Sequence, residues 1–158
     1  MTKLVRTLKG DHLSDIKDLI FVVIQLIDPN EPKNLQICDN YVAIREQITK
    51  FIAALSRLLG QHENSVSTEV QKFVEFVVKG FENQKFTLQS SAYTFECLCK
   101  HCAPVLSPFT SQLSEQILTQ EFVTSWSYND ESREIVIGFS YLINHECLTN
   151  MEACGPHL

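Results

Sequence analysis

Apolar residues recur along most of this chain at the three- and four-residue spacing that places them on one face of a helix. Between about residues 39 and 59, isoleucine, leucine and phenylalanine fall at positions i, i+3, i+4 and i+7. Proline and glycine separate the apolar runs, and none of the runs shows the strict alternation expected of a strand. The pattern therefore predicts an all-α protein.

Six helices are predicted, and short turns join four of them into two antiparallel hairpins. The hairpins span about residues 39–81 and 87–118, and unpaired helices of about residues 14–27 and 132–147 flank them. The first helices of successive units begin near Asp39, Thr87 and Ser132, in steps of 48 and 45 residues.

Two-helix repeats of ~40–47 residues are typical of HEAT and armadillo-like solenoids, in which each hairpin buries its apolar faces against its neighbours. We therefore expect residues 1–158 to form a single HEAT-like helical segment, an α-α superhelix of antiparallel hairpins. Because the flanking helices are unpaired, we expect the chain to be part of a longer array. A compact, irregular bundle of six helices is the alternative.

Large apolar side chains on the inner faces of these helices should form the core. Phe51, Phe73 and Phe95 are expected to be buried on three of them. The helical stripes also place inward Ile44 on the longest helix and Val136 and Ile143 on the sixth. The chain beyond residue 147 has no clear period, so no helix is predicted there.

Charge and hydropathy exclude some classes of partner. The chain has 19 acidic and 13 basic residues, a formal charge of −6, and no dense basic run, so nucleic acid is not an expected partner. The most apolar stretch, residues 19–27, is too short to span a bilayer. Six cysteines in a long helical pattern without a secretory signal favour free thiols in a reducing compartment.

One segment resembles a known family. Residues 86–103 read FTLQSSAYTFECLCKHCA, and the turn PVLSPF and the helical segment QLSEQI at 112–117 follow. This segment resembles HEAT repeats of the importin-β (karyopherin) superfamily, most closely the transportin-SR branch. In that branch a Ser-Ser/Ala helix carries a Cys-x-x-Cys element before a short turn and a partner helix. Residues 132–143, SREIVIGFSYLI, resemble the first helix of the next repeat.

The resemblance implies a nuclear transport receptor, which is a protein-binding scaffold and not an enzyme. Such a receptor moves between nucleus and cytoplasm, binds protein cargo on its concave side, and binds the GTPase Ran mainly through its amino-terminal repeats. This chain is far shorter than a whole receptor and resembles its central or later repeats. Ran is therefore implied as a partner of the full-length family rather than of this segment.

Acidic side chains are the candidate partner-binding residues. If the second helix of each hairpin is concave, its carboxylates would attract basic cargo such as serine/arginine-rich segments, with contacts that weaken as salt rises. Trp126, in an aromatic and acidic loop, could cover a cation. The full set of candidates is Asp15, Asp18, Glu69, Glu75, Glu115 and Trp126. The alternatives are an ordinary solvated face and a tryptophan anchored on the adjacent hairpin.

Three thiols and an imidazole between Cys97 and Cys102 are ligand types that zinc prefers. Successive helical residues turn by about 100°, however, so these side chains would point in different directions. We therefore expect free, packed thiols and neither metal nor cofactor; a Cys/His zinc-binding protein is the less favoured alternative. His145 and Cys147 lack an identifiable base and oxyanion hole, so no catalytic residue is expected.

Overall fold

The computed structural model describes residues 18–22, 39–81, 84–118 and 130–154, and these are almost entirely helical. Within these ranges only His62, Phe81 and Cys102 lie outside a helix. The elements are α1 (Asp39–Gln61), α2 (Glu63–Gly80), α3 (Gln84–His101), α4 (Ala103–Leu106), a 3-10 turn (Ser107–Phe109), α5 (Thr110–Leu118) and α6 (Asp130–Cys154). Residues 18–22 are also helical. The all-α prediction is confirmed.

The helix ends differ from the sequence prediction at several places. Helix α6 continues to Cys154, seven residues beyond the expected end. The turn expected at residues 103–106 is itself a short helix, α4. Pro104 fits there because it lies in the first turn, where the N–H it lacks has no intrahelical acceptor. Helix α2 begins at Glu63, and Val66, with φ −127° and ψ 20°, kinks it near this end.

Helix α3 lies between α1 and α6 and makes its most extensive contacts with these two helices. Two hydrogen bonds fix its direction relative to α1. Thr94 Oγ1 donates to the carbonyl oxygen of Thr49 at 3.0 Å, and Cys102 Sγ donates to the carbonyl oxygen of Ser56 at 3.7 Å. The later residue of α1 thus pairs with the later residue at the α3 side, so α1 and α3 run parallel. Helices α1, α3 and α6 begin at residues 39, 84 and 130, in steps of 45 and 46.

Helices α1 and α2 form an antiparallel hairpin. Arg45, near the start of α1, donates from Nη2 to the carbonyl oxygen of Phe76, near the end of α2, at 3.0 Å. The Arg45 guanidinium carbon also lies 4.0 Å from the centroid of the Phe76 ring. The arginine therefore combines a charge-assisted hydrogen bond with a cation–π contact and joins the open ends of the two helices.

The core prediction is confirmed for the large aromatic side chains and wrong at three aliphatic positions. Phe73 and Phe95 are fully buried, and Phe51 is 6% exposed. In contrast, Ile44, Val136 and Ile143 are 53%, 49% and 49% exposed. Val136 and Ile143 belong to an apolar stripe beside the buried one, and helical period alone does not decide which of the two faces inward. Ile44 lies on the same stripe as the buried Ile48 but one turn closer to the start of α1.

Two glycines allow close approach between helices of this core. A Cβ on Gly60 of α1 would overlap the carbonyl oxygen of His101 at the end of α3. A Cβ on Gly138 of α6 would lie 2.8 Å from Cε1 of the Phe95 ring. A side chain at either position would push the helices apart, so glycine permits the observed separation.

The predicted helix of residues 14–27 is described only at residues 18–22. There Ile20 is buried in the common core while Phe21 is 62% exposed. The other residues of that helix lie outside the described ranges. Among the described helices, none is long and apolar enough to cross a membrane.

Candidate protein-binding surface

The helices form two layers, which we name here. The first layer consists of α1, α3 and α6. The second layer consists of α2, α4, the 3-10 turn and α5. Helix α2 packs against α1 and α3, while α4 and the 3-10 turn contact α6. The outward surface of the second layer is therefore built from elements that the first layer holds in place.

Three of the predicted partner-binding acids lie in the second layer. Glu75 of α2 and Glu115 of α5 are exposed, and Glu69 of α2 is half-buried. Asp18 is exposed within helical residues 18–22. Asp15 and Trp126 lie outside the described residues. The described acids thus stand on three separate elements rather than in a single cluster.

The exposed face of α2 carries both signs of charge. Lys72 and Lys79 are exposed and alternate along the helix with Glu69 and Glu75. Helix α5 carries Glu115 as its single charged residue. Any attraction of this surface for a basic partner therefore comes from separated carboxylates together with the net charge of −6.

A closer group of carboxylates occurs in the first layer, where sequence reasoning did not place one. Glu96 of α3 lies near Glu134 of α6, with Glu131 also close. Burial raises the pKa of the Glu134 carboxyl, and the charges of Glu96 and Glu131 raise it further. Glu134 Oε2 is buried and has no hydrogen-bond partner among the described residues. The pairing depends on the register of α3 against α6, which no local pattern encodes.

We expect Glu134→Gln to raise the free energy of unfolding at pH 7 by about 0.5 kcal/mol, because it removes a like-charge contact that is partly screened by solvent. A raised pKa in the folded state means that the ionised carboxylate destabilises the fold. The destabilisation is present above the folded pKa and is lost as pH falls through it. Urea denaturation between pH 7 and pH 4 should therefore show the variant's advantage shrinking towards the acidic end.

Glu146→Gln is the matched control for this measurement. Glu146 lies on the same helix and is exposed, outside the group formed by Glu96, Glu131 and Glu134. Its substitution removes no close like-charge contact, so it should give no stabilisation that shrinks between pH 7 and pH 4. A loss of stability in Glu134→Gln at pH 7 would contradict the like-charge contact between α3 and α6.

The cysteine side chains at the end of α3 are wholly or partly buried in the core. Cys99 and Cys102 are fully buried and Cys97 is half-buried, and all three are free thiols. Burial raises the pKa of Cys99 well above its usual range and also raises that of Cys97, so the thiolate that binds metals is disfavoured. Within the described ranges, no group of three or more His, Cys, Asp or Glu side chains is arranged to hold a metal ion.

The imidazole of the same segment belongs to a small basic region. Burial lowers the pKa of His101, and the charges of Lys100 and Arg57 lower it further. The neutral ring is therefore favoured at the end of α3. His145 is half-buried and Cys147 is exposed on α6.

The second layer also contains an open groove of about 400 Å³. It lies between the first half of α2 and the segment from α4 to the 3-10 turn. Its lining residues are Asn64, Ser67, Gln71, Pro104, Val105, Pro108 and Phe109. Sequence reasoning missed this groove, because the two walls belong to helical segments that are far apart in the sequence. Comparison with protein-family models, with curated proteins and with solved structures finds no match to this chain.

Proposed function

We propose that this chain is a segment of a HEAT-like solenoid that acts as a non-enzymatic protein-binding scaffold. The observation that carries the proposal is the stacking of the first layer. Helices α1 and α6 both make their extensive contacts with α3, α1 and α3 run parallel, and the three begin at steps of 45 and 46 residues. Successive two-helix units stacked in one direction produce this relation, since each unit leans on the unit before it.

The proposed partners are basic protein segments, including serine/arginine-rich ones, that bind the second layer. The exposed carboxylates of Glu75 and Glu115 and the half-buried carboxylate of Glu69 supply the attraction. The resemblance of residues 86–117 and 132–143 to karyopherin HEAT repeats supports a role in nucleocytoplasmic transport of such cargo, with action in nucleus and cytoplasm. Recognition then depends on shape and charge, with no chemical step and no cofactor.

A binding experiment tests this proposal. A fluorescein-labelled peptide of eight Arg-Ser repeats is titrated with the full chain at 50 and 200 mM NaCl. We expect Kd to rise by roughly tenfold between these salt concentrations, because exposed charge pairs are screened. The triple variant Glu69→Gln, Glu75→Gln, Glu115→Gln should weaken binding at 50 mM NaCl by a similar factor.

The triple variant Glu96→Gln, Glu131→Gln, Glu146→Gln is the control, because it removes the same number of charges from the first layer. If binding depends on the second layer, this control should retain most of the affinity. Equal losses in both triple variants would show that only net charge matters, and would contradict a second-layer site. Release of the peptide on addition of Ran loaded with GTP would extend the proposal to the transport cycle.

A further inference from the structure

We propose that the groove between α2 and the Pro104–Phe109 segment binds an uncharged, extended peptide segment of a partner protein. This inference rests on the proposed function as a protein-binding scaffold and adds a site whose recognition does not depend on charge. It concerns residues that the sequence pattern did not single out.

The α2 wall of the groove is a stripe of hydrogen-bonding side chains. Asn64, Ser67 and Gln71 all line the groove, Asn64 from the turn before the kink at Val66 and the other two from the helix after it. Each offers both donor and acceptor atoms. Within the described ranges, none of these three side chains hydrogen-bonds to another residue. Their polar atoms therefore remain available to a bound chain.

The opposite wall is apolar. Pro104, Val105, Pro108 and Phe109 line it, and the two prolines have no backbone N–H to donate. The side chains of this wall offer a ligand rings and methyl groups and no hydrogen-bonding group. A ligand that fills the groove therefore needs hydrogen-bonding groups on one side and apolar groups on the other.

An extended peptide has this two-sided chemistry. Its backbone presents N–H and C=O groups, and alternate side chains point in opposite directions. The backbone can therefore hydrogen-bond to the polar side chains of the α2 wall while apolar side chains contact the opposite wall.

The absence of charged residues from the lining disfavours charged ligands. None of the seven lining residues is Asp, Glu, Lys or Arg, although 32 of the 158 residues in the chain are charged. A phosphate, a carboxylate or a basic side chain would lose hydration in the groove without gaining an opposite charge. An uncharged segment loses little by entering it.

The test follows amide resonances of the ¹⁵N-labelled full chain during titration with acetyl-Ser-Leu-Ser-Leu-Ser-amide. We expect saturable shifts at residues 64–71 and 104–109, unchanged between 50 and 500 mM NaCl because no ion pair is involved. The matched peptide acetyl-Ser-Lys-Ser-Lys-Ser-amide should bind at least fivefold more weakly. Absence of saturable shifts in the groove at 5 mM of the leucine peptide overturns the proposal, as does a preference for the lysine peptide.

The double variant Asn64→Ala, Gln71→Ala should weaken binding of the leucine peptide by roughly tenfold, because two hydrogen bonds are lost. Thr68→Ala, Lys72→Ala is the control, since both residues are exposed on the same helix outside the groove. Unfolding in urea confirms that both variants remain folded. Equal affinities of the two variants overturn the assignment of the amide wall.

Two outcomes separate this inference from the proposed function. Salt-dependent binding of the Arg-Ser peptide without groove binding leaves the scaffold proposal standing and rejects the groove. Groove shifts without binding of the Arg-Ser peptide reject the basic partner instead. Groove shifts that grow with the concentration of the chain alone, before any peptide is added, would assign the groove to a second copy and overturn the proposal.

Discussion

Replacing Phe95 with alanine is expected to lower the free energy of unfolding by ~3–5 kcal/mol, the largest effect of any single substitution considered for this chain. The ring is fully buried at the centre of α3. Its centroid lies 6.3 Å from that of Phe81, edge to face, and 5.1 Å from that of Phe139 in α6. Truncation therefore removes contacts to the end of α2 and to α6 together and leaves a cavity between them.

Urea denaturation of the Phe95→Ala variant measures this loss. Tyr93→Ala is the control, because it truncates a ring of similar size two residues away that is 50% exposed. We expect the control to lose less than about 1.5 kcal/mol, since much of its surface already contacts water. If both variants lose the same amount, the burial of Phe95 between α2 and α6 is wrong. Phe51→Ala and Phe73→Ala should follow Phe95→Ala, because both rings are buried.

The sequence was sufficient to predict the helical class and the main core. The stripe in α3 that contains Phe95 is interrupted by neither proline nor charge on its inner face, so its inward direction is unambiguous. At Val136 and Ile143 of α6, apolar residues occupy two adjacent stripes, and the one that α3 covers depends on tertiary packing. The exposed stripe was therefore predicted as buried, together with Ile44.

Helix boundaries were predicted less well, because the residues at a helix end are compatible with more than one local structure. Pro104 marks a break in the chain, but a proline in the first turn is also compatible with a new helix, and the chain forms α4. The last turns of α6 have weak helix signals. They extend a helix that its amino-terminal half already anchors by packing on α3, and extending an existing helix costs less than starting one.

The candidate sites depend on contacts between elements, which explains why the sequence indicated them only in part. The exposure of Glu75 and Glu115 could be predicted from the sequence, because the helical period places each on an outer face. The approach of Glu96 to Glu134 requires the register between α3 and α6. The groove requires that Gln71 and Pro108, which are 37 residues apart in the sequence, lie on facing walls. Neither relation follows from the spacing within one helix.

Replacing Gly60 with alanine is expected to destabilise the chain by about 1–3 kcal/mol, through overpacking between α1 and α3. The added Cβ would overlap the backbone carbonyl oxygen of His101, which cannot rotate away as a side chain can. The two parallel helices must then separate, and the hydrogen bond from Cys102 to the Ser56 carbonyl, which lies in the same region, should weaken. Thermal and urea denaturation measure the change.

The sign of this result is informative, because alanine favours a helix over glycine by up to about 1 kcal/mol when nothing opposes the new methyl group. A helix that does not contact α3 at Gly60 would therefore be stabilised by the substitution. Gln61→Ala is the control, since Gln61 is the next residue and is exposed, and it should change stability by less than about 0.5 kcal/mol. A loss at Gly60 with no change at Gln61 would locate the effect in the α1–α3 contact on which the proposed solenoid depends. A gain at Gly60 would remove the basis for placing these helices side by side, and with it the scaffold proposal.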